Sequence, residues 1–420
     1  MKKKFTVAVI GCGGRGWTYA TLMNAKDEFD VVALCDLNPE QLEKVNGFIH
    51  LDKECLFDNE AKFFKEKRAD ILVISTNDAE HVRQAVLAME LGYDLLLEKP
   101  ISNNREDIVK LLDTQERTGR QVVVCHVMRY AAGIKKMDEI LKTGMLGKLI
   151  AIDHTERVAY WHQAQAYVRF QKITPDKFPT ILAKCSHDLD LIQHYAGARC
   201  ETVSSLGKIS HFRKENTPEG AADRCLDCKY VETCTYSAKK IYIDGWKKDG
   251  CPPFIWPYSK LSLKNPTTEA DMYEALKTKV QGECAFKCGV EVNPYVVDHQ
   301  MVQMQFENEV IASLKMVFAG KLGRLIALYG TEGEIVMDEF TDTLTVKPYG
   351  KEVEVMKISS IDGGGWAHGG GDAGLVDDLY DILTGVKTEY TSLRESVESH
   401  LMGIAAEESR LDGGKIVRVH

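Results

Sequence analysis

The sequence predicts an α/β fold: an N-terminal doubly wound parallel sheet, then a second α/β domain on a large, mostly antiparallel sheet. Three observations carry this reading. A glycine-rich turn, Gly11-Cys12-Gly13-Gly14-Arg15-Gly16, stands between a short apolar run and a helix-compatible stretch. Strand-like and helix-like runs alternate through the first third of the chain. Beyond Leu149 that alternation gives way to longer β-rich stretches.

The first run, Phe5–Ile10, reads as a strand. In the turn that follows, Gly11 permits the tight bend, Gly13 lets the backbone approach a pyrophosphate, and Gly16 allows close helix–strand packing. Cys12, Gly14 and Arg15 complete the loop, and Trp17–Asn24 continues as helix. Free N–H groups at the helix start suit phosphates. The next run, Val31–Cys35, ends in Asp36, twenty residues past Gly16. There an acid meets the adenosine ribose 2′-hydroxyl. The cofactor expected is NAD rather than NADP, because Asp36 repels a 2′-phosphate and Leu37-Asn38 offers no arginine to bind one. A glycine-rich turn without a ligand is the plainer alternative. Helix-like Pro39–Phe48, Ala79–Leu91 and Arg105–Thr118 then alternate with strand-like Ile71–Ser75, Asp94–Leu97 and Gln121–Cys125, with Asn103 as an N-cap. This closes a first domain at residues 1–126.

Residues 127–420 form the second domain. Val296–Glu307, Val310–Ala319, Gly323–Tyr329, Glu334–Met337 and Thr343–Lys347 read as successive strands. Helix-like Lys135–Thr143 and His187–Tyr195 interrupt the β pattern, and Gly374–Leu383 and Leu393–Leu411 close the chain. A Cys-rich stretch at about 215–294 fits neither pattern and reads as an insertion with little core of its own.

Composition excludes several classes. The 420 residues are 44% hydrophobic and 27% charged, as in an ordinary globular protein. A net charge of −9 without a basic block argues against nucleic-acid binding. No apolar run approaches the ~20 residues of a membrane span. The apolar run after Met1-Lys2-Lys3-Lys4 is too short for a signal peptide, and twelve cysteines without an export signal point to a reducing cytoplasm.

Glu98-Lys99-Pro100 stands where the run Asp94–Leu97 ends, on the ligand side of such a sheet. There Lys99 can bond a substrate hydroxyl and favour alkoxide character, and Glu98 can accept from the nicotinamide ribose. The glycine turn, Asp36, Thr76-Asn77 followed by His81, and Glu98-Lys99-Pro100 in this order resemble the Gfo/Idh/MocA oxidoreductases. The resemblance covers nearly the whole chain. It implies a Rossmann domain, a C-terminal domain on an open antiparallel sheet, and homodimers or homotetramers. It further implies NAD(P)-dependent oxidation or reduction of one hydroxyl of a sugar, glycoside or cyclic polyol, and a cis bond before Pro100. Thr76, Asn77 and His81 become cofactor residues on this footing. His187 matches the family's catalytic histidine, and Asp190 the acid that follows it. The family's aspartate, however, is Ala183 here, with Lys184 beside it as the candidate replacement. A rival reading uses the same residues in a glycosidase: NAD oxidises a hydroxyl transiently, elimination cleaves the glycosidic bond, and the hydride returns. Another is a non-catalytic nucleotide sensor.

Two further patches resemble a subgroup of that family: His126, Arg129 and Tyr130, then Trp161, His162, Tyr167 and Arg169. Aromatic faces suit a sugar ring, while Arg and His suit its hydroxyls; the plainer reading is core. The glycine segment from Trp366 to Asp372 carries His368, which could reach over the pocket. Cys225, Cys228 and Cys234, with Cys251 as fourth ligand, have the spacing of a structural zinc knuckle; free thiols or an iron–sulfur cluster are the alternatives.

Overall fold

The computed structural model describes residues 3–170, 178–361 and 368–420. Its first sheet contains β1 (Phe5–Ile10), β2 (Phe29–Cys35), β3 (Leu56–Phe57), β4 (Ile71–Ile74), β5 (Asp94–Leu97) and β6 (Val122–Val124). All are parallel, in the order β3-β2-β1-β4-β5-β6. The central strands are apolar except for Thr6 in β1, because helices cover both faces. Those helices include α1 (Gly14–Asn24), α2 (Pro39–Ile49), α3 (His81–Glu90) and α4 (Arg105–Thr118). The cap of α4 is Asn104 rather than the expected Asn103: the Asn104 side chain accepts from the N–H groups of Glu106 and Asp107. The strand order reverses between β1 and β4, and a crevice opens at that switch point.

The second sheet has nine strands, in the order β14-β13-β12-β11-β7-β10-β9-β8-β15. They are β7 (Leu149–Ala159), β8 (Cys200–Lys208), β9 (His299–Phe306), β10 (Ile311–Ala319), β11 (Gly323–Gly330), β12 (Gly333–Asp338), β13 (Thr343–Pro348), β14 (Glu354–Lys357) and β15 (Val417–Arg418). The β7–β10 pair is parallel and the other pairs antiparallel. Strand β9 shows the layering: Gln300, Val302, Met304 and Phe306 are buried, whereas the residues between them face outward. After α5 (Ala132–Lys142), the inner face is covered by α6 (Thr180–Ala196) and, beyond α7 (Gly371–Leu383), by α8 (Leu393–Leu411). The two covering helices approach closely at Gly403, where an added Cβ would lie 2.3 Å from Leu182 Cδ2.

Three departures from the sequence reading concern the second domain. Helix α6 begins at Thr180, about two turns before His187, so the histidine lies inside the helix rather than at its start. Strand β8 is hidden in the sequence because Glu201, Ser204 and Ser205 break its apolar run. The insertion does have a core: Phe212, Tyr242, Trp246, Leu261, Met272, Leu276 and Phe286 cluster there, gathered from short pieces that show no period in any window.

Candidate active site

The glycine turn is shaped by its surroundings at two positions and open at two others. Gly11 adopts φ +88°, and a Cβ there would lie 2.5 Å from the Ser75 backbone. A Cβ at Gly16 would lie 1.9 Å from the Gly11 carbonyl oxygen, so only glycine allows β1 and α1 to meet. Nothing stands within 4 Å of a Cβ at Gly13 or Gly14. Helix α1 starts there without a side-chain cap or an acid in its first turn, leaving its positive end for an anion. At the end of β2, Asp36 Oδ2 accepts the Cys12 N–H at 2.6 Å and Oδ1 accepts the Asn38 N–H at 2.8 Å. The acid is thereby pinned beside the glycine turn. These residues fit a dinucleotide: a glycine cradle for pyrophosphate and a fixed carboxylate for the ribose.

Lys99 leaves the end of β5 through a cis Lys99–Pro100 peptide, and its Nζ lies 3.4 Å from the Ala183 carbonyl oxygen. Ala183 is one turn before His187 on α6, so the two domains meet at this point. Burial lowers the Lys99 pKa against the pull of Glu98. His187 is 3% exposed, and neither ring nitrogen has a hydrogen-bond partner among the described residues. Burial first, then Lys99, His368 and His126, hold its pKa well below the ordinary histidine value. The ring is therefore neutral at pH 7 and can accept a proton. Its centroid lies 5.9 Å from that of His126 and 5.4 Å from that of His368.

Residues 5–126 match the profile of the oxidoreductase family with an NAD-binding Rossmann fold. YteT of Bacillus subtilis (strain 168), an oxidoreductase by name, is 22% identical over 391 residues, which cover 86% of either chain. A glycosyl hydrolase family 109 protein of Solibacter usitatus is 27% identical over 241 residues, 51% of this chain and 53% of that one. The fold of levoglucosan dehydrogenase, solved with NADH and L-sorbose, superposes with a TM-score of 0.71 at 15% identity, covering 100% of this chain and 99% of that one. Residues 5–126 thus match the NAD-binding Rossmann domain of the Gfo/Idh/MocA oxidoreductases. The protein is an enzyme of an NAD-binding family, and no helix among its described residues is long and apolar enough to cross a membrane.

A line of charges joins the glycine turn to the lysine. His368 Nδ1 lies 3.2 Å from Asp372 Oδ2, and Asp372 Oδ1 accepts from Arg15 Nη2 at 2.6 Å. Arg15 Nε donates to Glu98 Oε1 at 2.6 Å, and Glu98 Oε2 accepts the Lys99 N–H at 2.9 Å. Burial opposes ionisation of Glu98, but Arg15 and Lys99 outweigh it and keep the carboxyl below its ordinary range. Arg15 and Glu98 are thus engaged with each other. His81 is buried, its Nδ1 2.8 Å from the Pro100 carbonyl oxygen and its Nε2 3.3 Å from that of Thr76, so it packs within the loop rather than facing the crevice. Thr76 Oγ1 bonds Gln84, and Asn77 is exposed at the loop tip.

Lys184 does not occupy the family aspartate's role beside His187. Its Nζ bonds Glu156 Oε1 at 2.5 Å, deep between α6 and β7. Arg324 Nε reaches Glu156 Oε2 at 3.1 Å and Asp188 Oδ1 at 2.8 Å, and His154 Nε2 bonds Asp188 Oδ1 at 2.8 Å. Burial disfavours the Asp188 carboxylate, yet Arg324 and His154 hold its pKa far below the usual range. Glu156, Asp188, His154 and Arg324 escaped sequence reading because they come from two strands and a helix with no shared motif. Asp190 is likewise turned to structure: it takes Arg129 bidentately at 2.7 Å and stands 3.9 Å from His126.

Of the residues expected on a sugar, His126 and His368 pack against His187, His162 feels the charge of Lys99, and Trp161 and Tyr167 join through His162. His162 stacks on Trp161, with centroids 5.7 Å apart, and packs against Tyr167 and Trp256. Trp256 comes from the insertion and was missed; Pro257 after it and the aperiodic run around it hide its role. Arg129, Tyr130 and Arg169 serve the framework instead. Tyr130 is buried with its hydroxyl 3.2 Å from Thr391 Oγ1, and Arg169 is buried inside the insertion. Of the glycine segment, Trp366 and Ala367 lie outside the described residues, and His368 and Asp372 within them. The expected zinc set also fails as drawn: Cys251 is exposed, and among the described residues no group of three or more His, Cys, Asp or Glu is assembled for a metal ion.

The buried histidines behind the cleft carry a pH dependence. Burial lowers His126 to about 4 and His400 to about 3. His400 Nε2 accepts the Ile101 N–H at 2.9 Å, a bond that protonation would break. An unfolded chain protonates these rings near pH ~6.5, whereas the folded chain resists until much lower, so stability falls as pH drops below ~6.5. Each ring steepens that fall by up to ~1.4 kcal/mol per pH unit. Urea midpoints measured from neutral to mildly acid pH should show it, and His400→Gln should flatten the curve. An unchanged slope would remove His400 from the account.

Proposed function

We propose that the protein is an NAD-dependent oxidoreductase acting on one hydroxyl carbon of a sugar, glycoside or cyclic polyol. The observation that carries the reading is the meeting of Lys99, from the end of β5, with the His187 face of α6 at one inter-domain cleft. Gly11, Cys12, Gly13, Gly14 and Gly16 hold the pyrophosphate and Asp36 the adenosine ribose. When bound, the nicotinamide supplies a hydride acceptor or donor. Lys99 positions the reacting hydroxyl and stabilises its developing negative charge. His187, neutral in its buried place, takes the hydroxyl proton at a ring nitrogen and gives it back in the reverse direction. Trp161, His162, Tyr167 and Trp256 wall the ring of the substrate and exclude water. The levoglucosan dehydrogenase likeness supports the substrate class.

The family 109 hydrolase relative favours the second reading, redox-assisted glycoside cleavage. Incubation with NAD and a panel of monosaccharides, inositols and aryl glycosides separates the two. Net NADH accumulation with a free sugar upholds the dehydrogenase. Release of aglycone without net NADH upholds the glycosidase, and neither product from any substrate overturns both.

NAD should be preferred over NADP. A 2′-phosphate ~4 Å from the Asp36 carboxylate meets up to ~4 kcal/mol of repulsion at an effective dielectric near 20. Asp36→Ala should therefore narrow the ratio of kcat/KM for NAD over NADP by more than ~10-fold. Equal use of both cofactors by the wild type would sink the assignment. The outer sheet face, with Leu206 opposite Met301 and both more than half exposed, is the surface we propose for a homodimer or homotetramer.

A further inference from the structure

The insertion's cysteines converge in a way that chain order conceals. A tight turn at Cys225–Asp227 brings the Cys228 N–H to 3.3 Å from the Cys225 carbonyl, and the Cys234 N–H bonds the Tyr230 carbonyl at 2.8 Å. Fifty residues past Cys234, an isolated antiparallel bridge joins Arg224 to Glu283, and the Cys284 N–H donates to the Asp223 carbonyl at 2.7 Å. Backbone pairing thus lays Cys284 beside the turn. Cys225, Cys228, Cys234 and Cys284 all line one cavity of about 30 Å³, and Cys251 does not.

The second observation is Arg169, which lines the same cavity. It is wholly buried, with Nε donating to the Glu283 carbonyl at 2.8 Å and Nη2 to the Tyr236 carbonyl at 2.6 Å. Nη2 also stands 3.6 Å from Cys225 Sγ. Nη1 has no hydrogen-bond partner, and among the described residues no carboxylate pairs with this guanidinium. A permanent cation withdrawn from water requires negative charge nearby. Four thiols supply none, whereas four thiolates around one divalent cation carry a net negative charge.

We propose that Cys225, Cys228, Cys234 and Cys284 bind one zinc ion as a tetrathiolate, with Arg169 as its buried counter-charge. Among the described residues no three such side chains are already gathered for a metal ion, so binding would turn the thiol rotamers inward to reach Zn–S distances of ~2.3 Å. Each S–H bond is exchanged for an S–Zn bond, the protons leave to solvent, and no oxidation state changes. The ion would fasten the 225–234 turn, the 283–284 segment and the Tyr160–Phe170 stretch together. That stretch carries Trp161, His162 and Tyr167, so the metal would brace the aromatic wall without touching the substrate.

The test uses the full chain, purified without added metal or chelator. Elemental analysis should find about one zinc per chain. Cys284→Ser should lose at least ~10-fold of it, a change of ~1.4 kcal/mol or more in binding, while Cys251→Ser keeps it. Arg169→Gln should release zinc faster to a chelator, and Arg169→Lys should restore retention. Should Cys284→Ser fail to fold, cobalt-substituted wild type decides: tetrahedral all-sulfur absorption bands uphold the site, and their absence overturns it. Also overturning it are a metal-free protein with titratable thiols, a disulfide among the four, iron with acid-labile sulfide, or zinc lost through Cys251→Ser alone.

Discussion

Lys99→Ala and His187→Ala should each lower turnover by ~10²–10⁴-fold while leaving NAD binding nearly intact. Neither residue belongs to the glycine turn or the Asp36 corner, so nucleotide titration by fluorescence or calorimetry should give nearly wild-type affinity. Acting on one hydroxyl, the two should be non-additive, the double variant scarcely worse than the worse single. The pH profile gives a separate check. A base must be unprotonated to act, and burial beside Lys99 holds His187 well below its ordinary pKa. The plateau of kcat/KM for oxidation should therefore extend below pH ~6.5 rather than break there. A single variant that keeps most of the wild-type rate removes its residue from the chemistry. Lys184→Ala is the informative companion: its ion pair with Glu156 implies lost stability first and a milder effect on rate.

Arg324→Met should be the most damaging substitution for stability. Arg324 is buried, and its Nε bonds Asp188 at 2.8 Å and approaches Glu156 at 3.1 Å. Removing it leaves two buried carboxylates to share Lys184 and His154. Breaking a buried ion pair from one side commonly costs ~3–5 kcal/mol. Asp188 is adjacent to His187 on α6, so rate should fall with stability. Arg324→Lys keeps the charge but loses the guanidinium's planar fork, and should recover part of both. Urea unfolding gives the measurement. A wild-type midpoint in Arg324→Met would show that the network bears little of the fold.

The parts of the site legible from sequence are those whose chemistry is local. Gly11 and Gly16 betray themselves because backbone approaches of 2.5 Å and 1.9 Å admit no side chain. Asp36 follows from strand length, and Lys99 from its place after β5. Local spacing says nothing about what a polar side chain will pair with across the fold. Arg15 and Glu98 looked like ligand contacts and prove to hold each other. Arg129 and Arg169 suited a sugar by type, but Asp190 and the insertion's carbonyls claim them. Lys184 stood beside the right position, yet helical geometry turns it toward Glu156. Cys284 was hidden for the same reason, since only the Arg224–Glu283 bridge brings it near Cys225.

The fold-back of α7 onto the first domain bears on how the chain comes apart. Leu375, Val376, Leu379 and Ile382 share one apolar cluster with Phe5, Tyr19, Val123 and Val127. Helix α7 lies well over two hundred residues beyond the sequence boundary near residue 126. Contiguity along the chain and autonomy in space therefore part company. A fragment ending near residue 126 would expose the surface that α7 covers and should be prone to aggregate rather than to fold as a free nucleotide-binding module. The intact polypeptide should lose both halves in one cooperative transition, with the last quarter of the chain needed before the first can settle.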